Sequence, residues 1–147
     1  TPVDETYMTT GEITPVKDTP LDFTTPKVLG QDIDKFEFEQ MKFGNGYDHN
    51  WVLNSKGDVN VLAAKLLSPT TGIFVEVYTN EPGIQVYSGN FLDGTAKGKK
   101  GITYAQRTGF CLETQYYPNA TNTPSFYNCV FDKDEVVKTR TVYKITV

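Results

Sequence analysis

Two short stretches hold the residue types that acid–base chemistry on a hydroxylated substrate requires. One is Phe110-Cys111-Leu112-Glu113-Thr114-Gln115 and the other Gly46-Tyr47-Asp48-His49-Asn50. Glu113 stands among Phe110, Leu112, Tyr116 and Tyr117. A carboxylate in an apolar segment is costly to desolvate unless it is paired or its altered basicity is used. Glu113 is therefore a candidate general base for a substrate hydroxyl; the plainer alternative is a strand glutamate facing solvent or paired with Lys or Arg. Asp48 follows a glycine-containing turn and precedes Trp51. An acid beside an aromatic ring can grip a sugar, the acid taking hydroxyl hydrogens and the ring covering C–H faces; the alternative is an Asx turn or cap. Gln85, after Pro82-Gly83, offers both a donor and an acceptor to vicinal hydroxyls, or else a cross-strand polar contact. His49 is the only histidine. It titrates near neutrality, but alternation along a strand turns it away from whatever Asp48 faces, so a structural role is expected.

These residues must be placed by strands. Residues 139–147 alternate, with Thr139, Thr141, Tyr143, Ile145 and Val147 on one side, and read as a half-buried strand. Residues 73–79 alternate too, but with apolar side chains on both faces, as in a strand covered on both sides. Further strands are expected at 36–38, 50–53, 61–67, 84–87 and 110–115. Turn residues separate them at Gly44-Asn45-Gly46, Asn54-Ser55-Lys56-Gly57, Ser68-Pro69-Thr70-Thr71-Gly72 and Glu81-Pro82-Gly83. Residues 94–101 read as a surface loop and 117–128 as a second long loop. The first 35 residues read as irregular extended chain lying against something larger. No helix is expected beyond one turn at 31–35. The fold class is all-β, an antiparallel β-sandwich.

Length and charge narrow the function. A chain of 147 residues ordinarily makes one domain. A net charge of -4 argues against a nucleic-acid partner. Only Arg107 and Arg140 are arginines, which disfavours a phosphorylated sugar, since bidentate phosphate recognition leans on Arg. No apolar run approaches the roughly 18–20 residues that span a bilayer, so no membrane partner is expected. Cys111 and Cys129, with one His, are too few for a zinc site; two free, half-buried thiols are the expectation. The chain starts at Thr1, so an upstream segment is expected to have been removed or to lie on another chain, and the compartment stays open.

Taken together, the motifs point further. Asp4-Glu5, Met8-Thr9-Thr10-Gly11-Glu12, Thr19-Pro20-Leu21-Asp22-Phe23, Gly46-Tyr47-Asp48-His49-Asn50, the run from Tyr78 to Leu92, and Cys111-Leu112-Glu113-Thr114-Gln115 occur in a characteristic order. In that order and spacing the chain resembles the aldose 1-epimerase (galactose mutarotase) family, from about Val3 to Asn122. The resemblance implies the large antiparallel sandwich of that family, of which residues 1–147 would be the C-terminal part of a single domain. It implies Glu113 as catalytic base, Asp48 and Gln85 as residues that hold sugar hydroxyls, a free hexose as substrate, no cofactor and no metal. Members of the family are about twice this length or more. Their general acid is a histidine, assisted by a second histidine and an arginine, all in the N-terminal half. That half is the expected partner, as a separate chain or a cleaved fragment, and this chain alone is expected to be inactive. The family default for compartment is cytoplasmic, with periplasmic or secreted locations open. Two loops depart from the family: Asn119 follows Pro118 where an Asp is usual, and Phe131-Asp132-Lys133-Asp134-Glu135 replaces a Pro-Gly-Glu turn. Both bear on substrate range. The alternative function is a non-catalytic carbohydrate-binding β-domain that retains Asp48 and Gln85.

Overall fold

A computed structural model describes residues 1–147. Six strands form two three-stranded sheets: β1 (Asp48–Val52), β4 (Gly83–Tyr87) and β5 (Cys111–Gln115) in the order β1-β4-β5, and β2 (Leu62–Leu67), β3 (Phe74–Thr79) and β6 (Thr141–Thr146) in the order β2-β3-β6. The class is all-β, with one short helix, α1 (Glu39–Gly44). The chain divides into two compact units, residues 1–50 with 85–113 and residues 51–84 with 114–147.

In the first unit Met41 and Tyr47 are fully buried and Val3 and Ile33 nearly so. The irregular N-terminal segment thus supplies core residues of its own, Val3 and Ile33. It is also held locally. Phe23 meets Tyr47 edge-on at 5.2 Å between ring centroids. Lys27 Nζ lies 4.5 Å from the centre of the Phe23 ring and donates to the Pro20 carbonyl at 2.6 Å and to Asp32 at 2.7 Å. The expected strand at 36–38 is absent: these residues turn into α1, with Phe38 as N-cap. Six residues with Met41 as the single buried apolar side chain are too few for a helical period to show in sequence. What stops α1 is local. Asn45 takes the left-handed conformation (φ 50°, ψ 35°), and Gly46 N–H closes on the Met41 carbonyl at 3.0 Å.

The second unit is built on β3. It pairs antiparallel with β2 (Leu66 opposite Val75) and with β6 (Tyr143 opposite Val77), so β6 is an edge strand. A bulge between Leu62 and Ala64 shifts the β2 register. Val77 and Thr79 are fully buried, and Leu53, Ile84, Tyr117 and Phe126 complete this core. Tyr117 receives Phe126 at 5.2 Å and 88°. The strand read as half-buried at 139–147 differs in its C-terminal part, where Tyr143 and Ile145 are 48% and 63% exposed. Alternation had placed them on one face, and it did; that face is open in this chain. Both cysteines are free and half-buried. No helix is long and apolar enough to cross a membrane.

One buried carboxylate in this unit is unbalanced. Glu81 is 6% exposed, and its Oε2 has no hydrogen-bond partner. Burial pushes its carboxyl above the ordinary 4.5. A raised folded-state value favours the protonated form, so its stabilising contribution is complete at low pH and is lost as pH rises through the folded value. Glu81→Gln should therefore raise stability at pH 7 by roughly 1–3 kcal/mol, the scale of an unsatisfied buried group. Urea denaturation at pH 7 and at pH 4 checks this, with the gain shrinking at the lower pH.

Candidate functional site

A buried polar knot sets the start of β1. Asn90 is 3% exposed and Ser88 5%. Asn90 Nδ2 donates to the carbonyls of Gly44 (2.7 Å) and Tyr47 (2.9 Å), and its Oδ1 accepts from Ser88 Oγ at 2.6 Å. Ser88 Oγ in turn accepts the Tyr47 N–H at 3.1 Å, while Ser88 N–H donates to the Tyr47 carbonyl at 3.0 Å. Gly46 is required inside this knot. Its φ is +130°, and a Cβ there would lie 2.5 Å from Asn90 Oδ1. The chain thus leaves the turn in one orientation and enters β1 at Asp48.

Asp48 is half-buried and accepts a hydrogen bond from Gln85 Nε2 at its Oδ1, 2.8 Å away. The structure brings these two residues together in a cross-strand polar contact, the plainer of the two arrangements that the sequence offered for Gln85. β4 lies between β1 and β5, so Gln85 stands on the strand flanked by those of Asp48 and Glu113. Cys111 links the two carboxylates electrostatically. Burial, then the Glu113 carboxylate beside it and a hydrogen bond to that group, then the charge of Asp48, push the Cys111 thiol up. The thiol therefore stays protonated, a donor toward Glu113.

Two expectations about local surroundings are corrected. Glu113 is exposed, not desolvated. Strand alternation explains this: on β5, Cys111, Glu113 and Gln115 share one face, and Leu112 points to the other. Neighbours in sequence are not neighbours in space. For the same reason Trp51 shares a face of β1 with His49, not with Asp48, so no ring accompanies the Asp48 carboxylate from its own strand. Ser88, Asn90 and Cys111 were not singled out as site residues. The first two carried a faint signal, since short polar side chains flanking Gly89 after a strand commonly bond to nearby backbone.

His49 takes the structural place expected of it. It is 3% exposed, its ring centroid is 6.3 Å from that of Tyr7, and Nδ1 accepts the Asp48 N–H at 3.2 Å. No group of three or more His, Cys, Asp and Glu side chains converges to hold a metal ion.

The sequence and the fold of this chain have parallels among known proteins. The profile of the family described as Aldose 1-epimerase matches residues 1–144. The chain belongs to the aldose 1-epimerase family. It is similar to galactose mutarotase of Homo sapiens, with 41% identity over 146 residues, which is 99% of this chain and 41% of that protein. It is 47% identical over 125 residues to galactose mutarotase of Sus scrofa, covering 85% of this chain and 34% of that one. With aldose 1-epimerase of Escherichia coli (strain K12) it shares 35% over 126 residues, again 85% of this chain and 35% of the relative. Among solved structures, the GalM/aldose epimerase homologue from C. elegans superposes with a TM-score of 0.78 at 26% identity, over 98% of this chain and 42% of that one. The all-β sandwich fold of this epimerase is therefore shared. The chain spans 34–41% of the length of these curated relatives.

His49 generates a pH prediction. Its pKa is lowered to about 4, chiefly by burial, with a backbone hydrogen bond at Gln40 opposing the shift. The unfolded chain takes up the proton first as pH falls, so stability is complete above the ordinary value of 6.5 and is lost between 6.5 and about 4. The loss is on the order of 3 kcal/mol. Denaturation midpoints across this window should fall more steeply for the native protein than for His49→Gln.

Proposed function

We propose that this chain is the base-bearing, C-terminal part of an aldose 1-epimerase domain that interconverts the α and β anomers of a free hexose such as galactose or glucose. The observation that carries this reading is the hydrogen-bonded Asp48–Gln85 pair, 2.8 Å apart, next to the strand that bears Glu113. The family match over residues 1–144 and the relatives named galactose mutarotase support it. Asp48 and Gln85 hold sugar hydroxyls, and Glu113 removes the proton of the C1 hydroxyl. An acid from the N-terminal half of the fold protonates the ring oxygen. The C1–ring oxygen bond breaks, giving the open aldehyde. Rotation about C1–C2 presents the other carbonyl face, and closure with the two protons returned yields the second anomer. Two proton transfers and the cleavage and re-formation of one C–O bond make up the chemistry, and Glu113 and the acid exchange roles in closure.

One observation favours a second reading, a carbohydrate-binding domain without turnover. The single histidine is buried and held near neutral form, so this chain offers no imidazole acid of its own. The two readings separate in one experiment. Polarimetry of freshly dissolved α-galactose should show exchange when this chain is joined to a histidine-bearing N-terminal half, and none from the chain alone. Sugar binding by the joined protein without exchange would establish the binding domain instead.

In the joined protein, Glu113→Gln should slow anomer exchange by roughly two to four orders of magnitude while sugar still binds, the usual scale of acid–base assistance. A near-native rate would remove Glu113 from the role of base. Asp48→Asn and Gln85→Ala should each weaken galactose binding by about 1–3 kcal/mol, read by calorimetric titration.

A further inference from the structure

Tyr7 lies outside every motif discussed so far, yet its hydroxyl reaches the start of β1. The loop carrying it is built to hold it there. Val3 and Thr9 form an antiparallel bridge, and Asp4 N–H donates to the Met8 carbonyl at 2.8 Å. Inside the loop, Asp4 Oδ1 accepts from Thr6 N (2.8 Å), Thr6 Oγ1 (2.7 Å) and Met8 N (3.1 Å). Tyr7 N–H closes on the Asp4 carbonyl at 3.0 Å. The loop forces Tyr7 to φ +69°. A bulky side chain is an outlier there, tolerated when surrounding contacts over-determine it.

The conformation aims the half-buried Tyr7 hydroxyl at the Asp48 carbonyl, to which it donates a hydrogen bond. Gly44 leaves room for this approach: a Cβ at that position would lie 3.2 Å from the Tyr7 oxygen and 3.0 Å from the His49 ring, and these neighbours would have to give by a few tenths of an ångström. Burial, followed by the Asp48 charge, pushes the phenol well above its ordinary range, so it remains a donor at every physiological pH. Asp48 is thus pinned from two sides: its main chain by Tyr7 and its carboxylate by Gln85.

We propose that Tyr7 is a positioning residue for sugar binding, fixing the Asp48 backbone so that its carboxylate meets the substrate hydroxyls already aligned. The proposal rests on the sugar-binding role given to Asp48 above. It assigns Tyr7 to ground-state grip and not to proton transfer, which sets its kinetic signature. Removing the hydroxyl loosens Asp48 equally in the ground and transition states, so KM rises while kcat holds.

The test is Tyr7→Phe in the complete epimerase, with Asp48→Asn and the double variant, assayed by polarimetry over a range of galactose concentrations. Tyr7→Phe should raise KM about three- to tenfold, the worth of one hydrogen bond, with kcat within about twofold. In the Asp48→Asn background the same change should have little further effect on KM, because Tyr7 acts through Asp48. An unchanged KM in Tyr7→Phe, or an equal further rise in the double variant, overturns the proposal. So does a fall in kcat alone, which is what a merely lower folded fraction produces. An Asp48→Asn variant with native KM overturns the sugar-binding role of Asp48 itself, and with it the basis for Tyr7; the single variants thereby tell the two failures apart.

Discussion

The geometry of the first unit depends on one constraint, the satisfaction of the Gly44 and Tyr47 carbonyls by Asn90. Buried carbonyls must be paired, and a turn cannot pair them by itself. Asn90 does so with one amide group, and Ser88 completes the pattern on the same turn. Everything downstream follows from that orientation. Gly46 is needed because no Cβ fits against Asn90, Tyr47 is driven into the core against Phe23, and Asp48 emerges beside Gln85. The knot and Gln85 belong to one short run of chain, so the residues that fix the turn also fix the partner of the carboxylate.

The two carboxylates of the site are prepared differently. Asp48 is half-buried and bonded, with its conformation chosen before any ligand arrives. Glu113 is exposed, with the Cys111 thiol for company. In the proposed reaction that difference is useful, because a binding group gains from preorganisation. A general base gains from an environment that forms around the substrate and raises its basicity on closure. In this chain Glu113 is open to solvent between the half-buried Cys111 and Gln115.

Much of this was legible in sequence because strands advertise themselves by period and turns by composition. β1 to β6 fall where alternation and turn residues placed them, within a residue or two. The misses share a cause. Helix α1 is too short to show a period, and residues 36–38 looked strand-like only because two phenylalanines are spaced by two. Glu113 was judged by its neighbours along the chain, although alternation sends Leu112 to the opposite face. The knot was invisible for a different reason. A serine and an asparagine after a strand are commonplace, and which distant carbonyls they bond is decided by tertiary structure alone.

The knot also has a bearing on how the chain acquires its shape. Ser88 and Asn90 lie 41 and 46 positions along the chain from the groups they clasp at Tyr47 and Gly44. Contacts of such separation pay loop-closure entropy before they return any stability, and they form late in folding. During synthesis the segment that ends in Asp48 emerges well before the residues that orient it, and the turn at Gly46 samples many conformations in the interval. The geometry around Asp48 therefore cannot be completed until the strand bearing Gln85 and the polar pair after it have been made and paired beside β1.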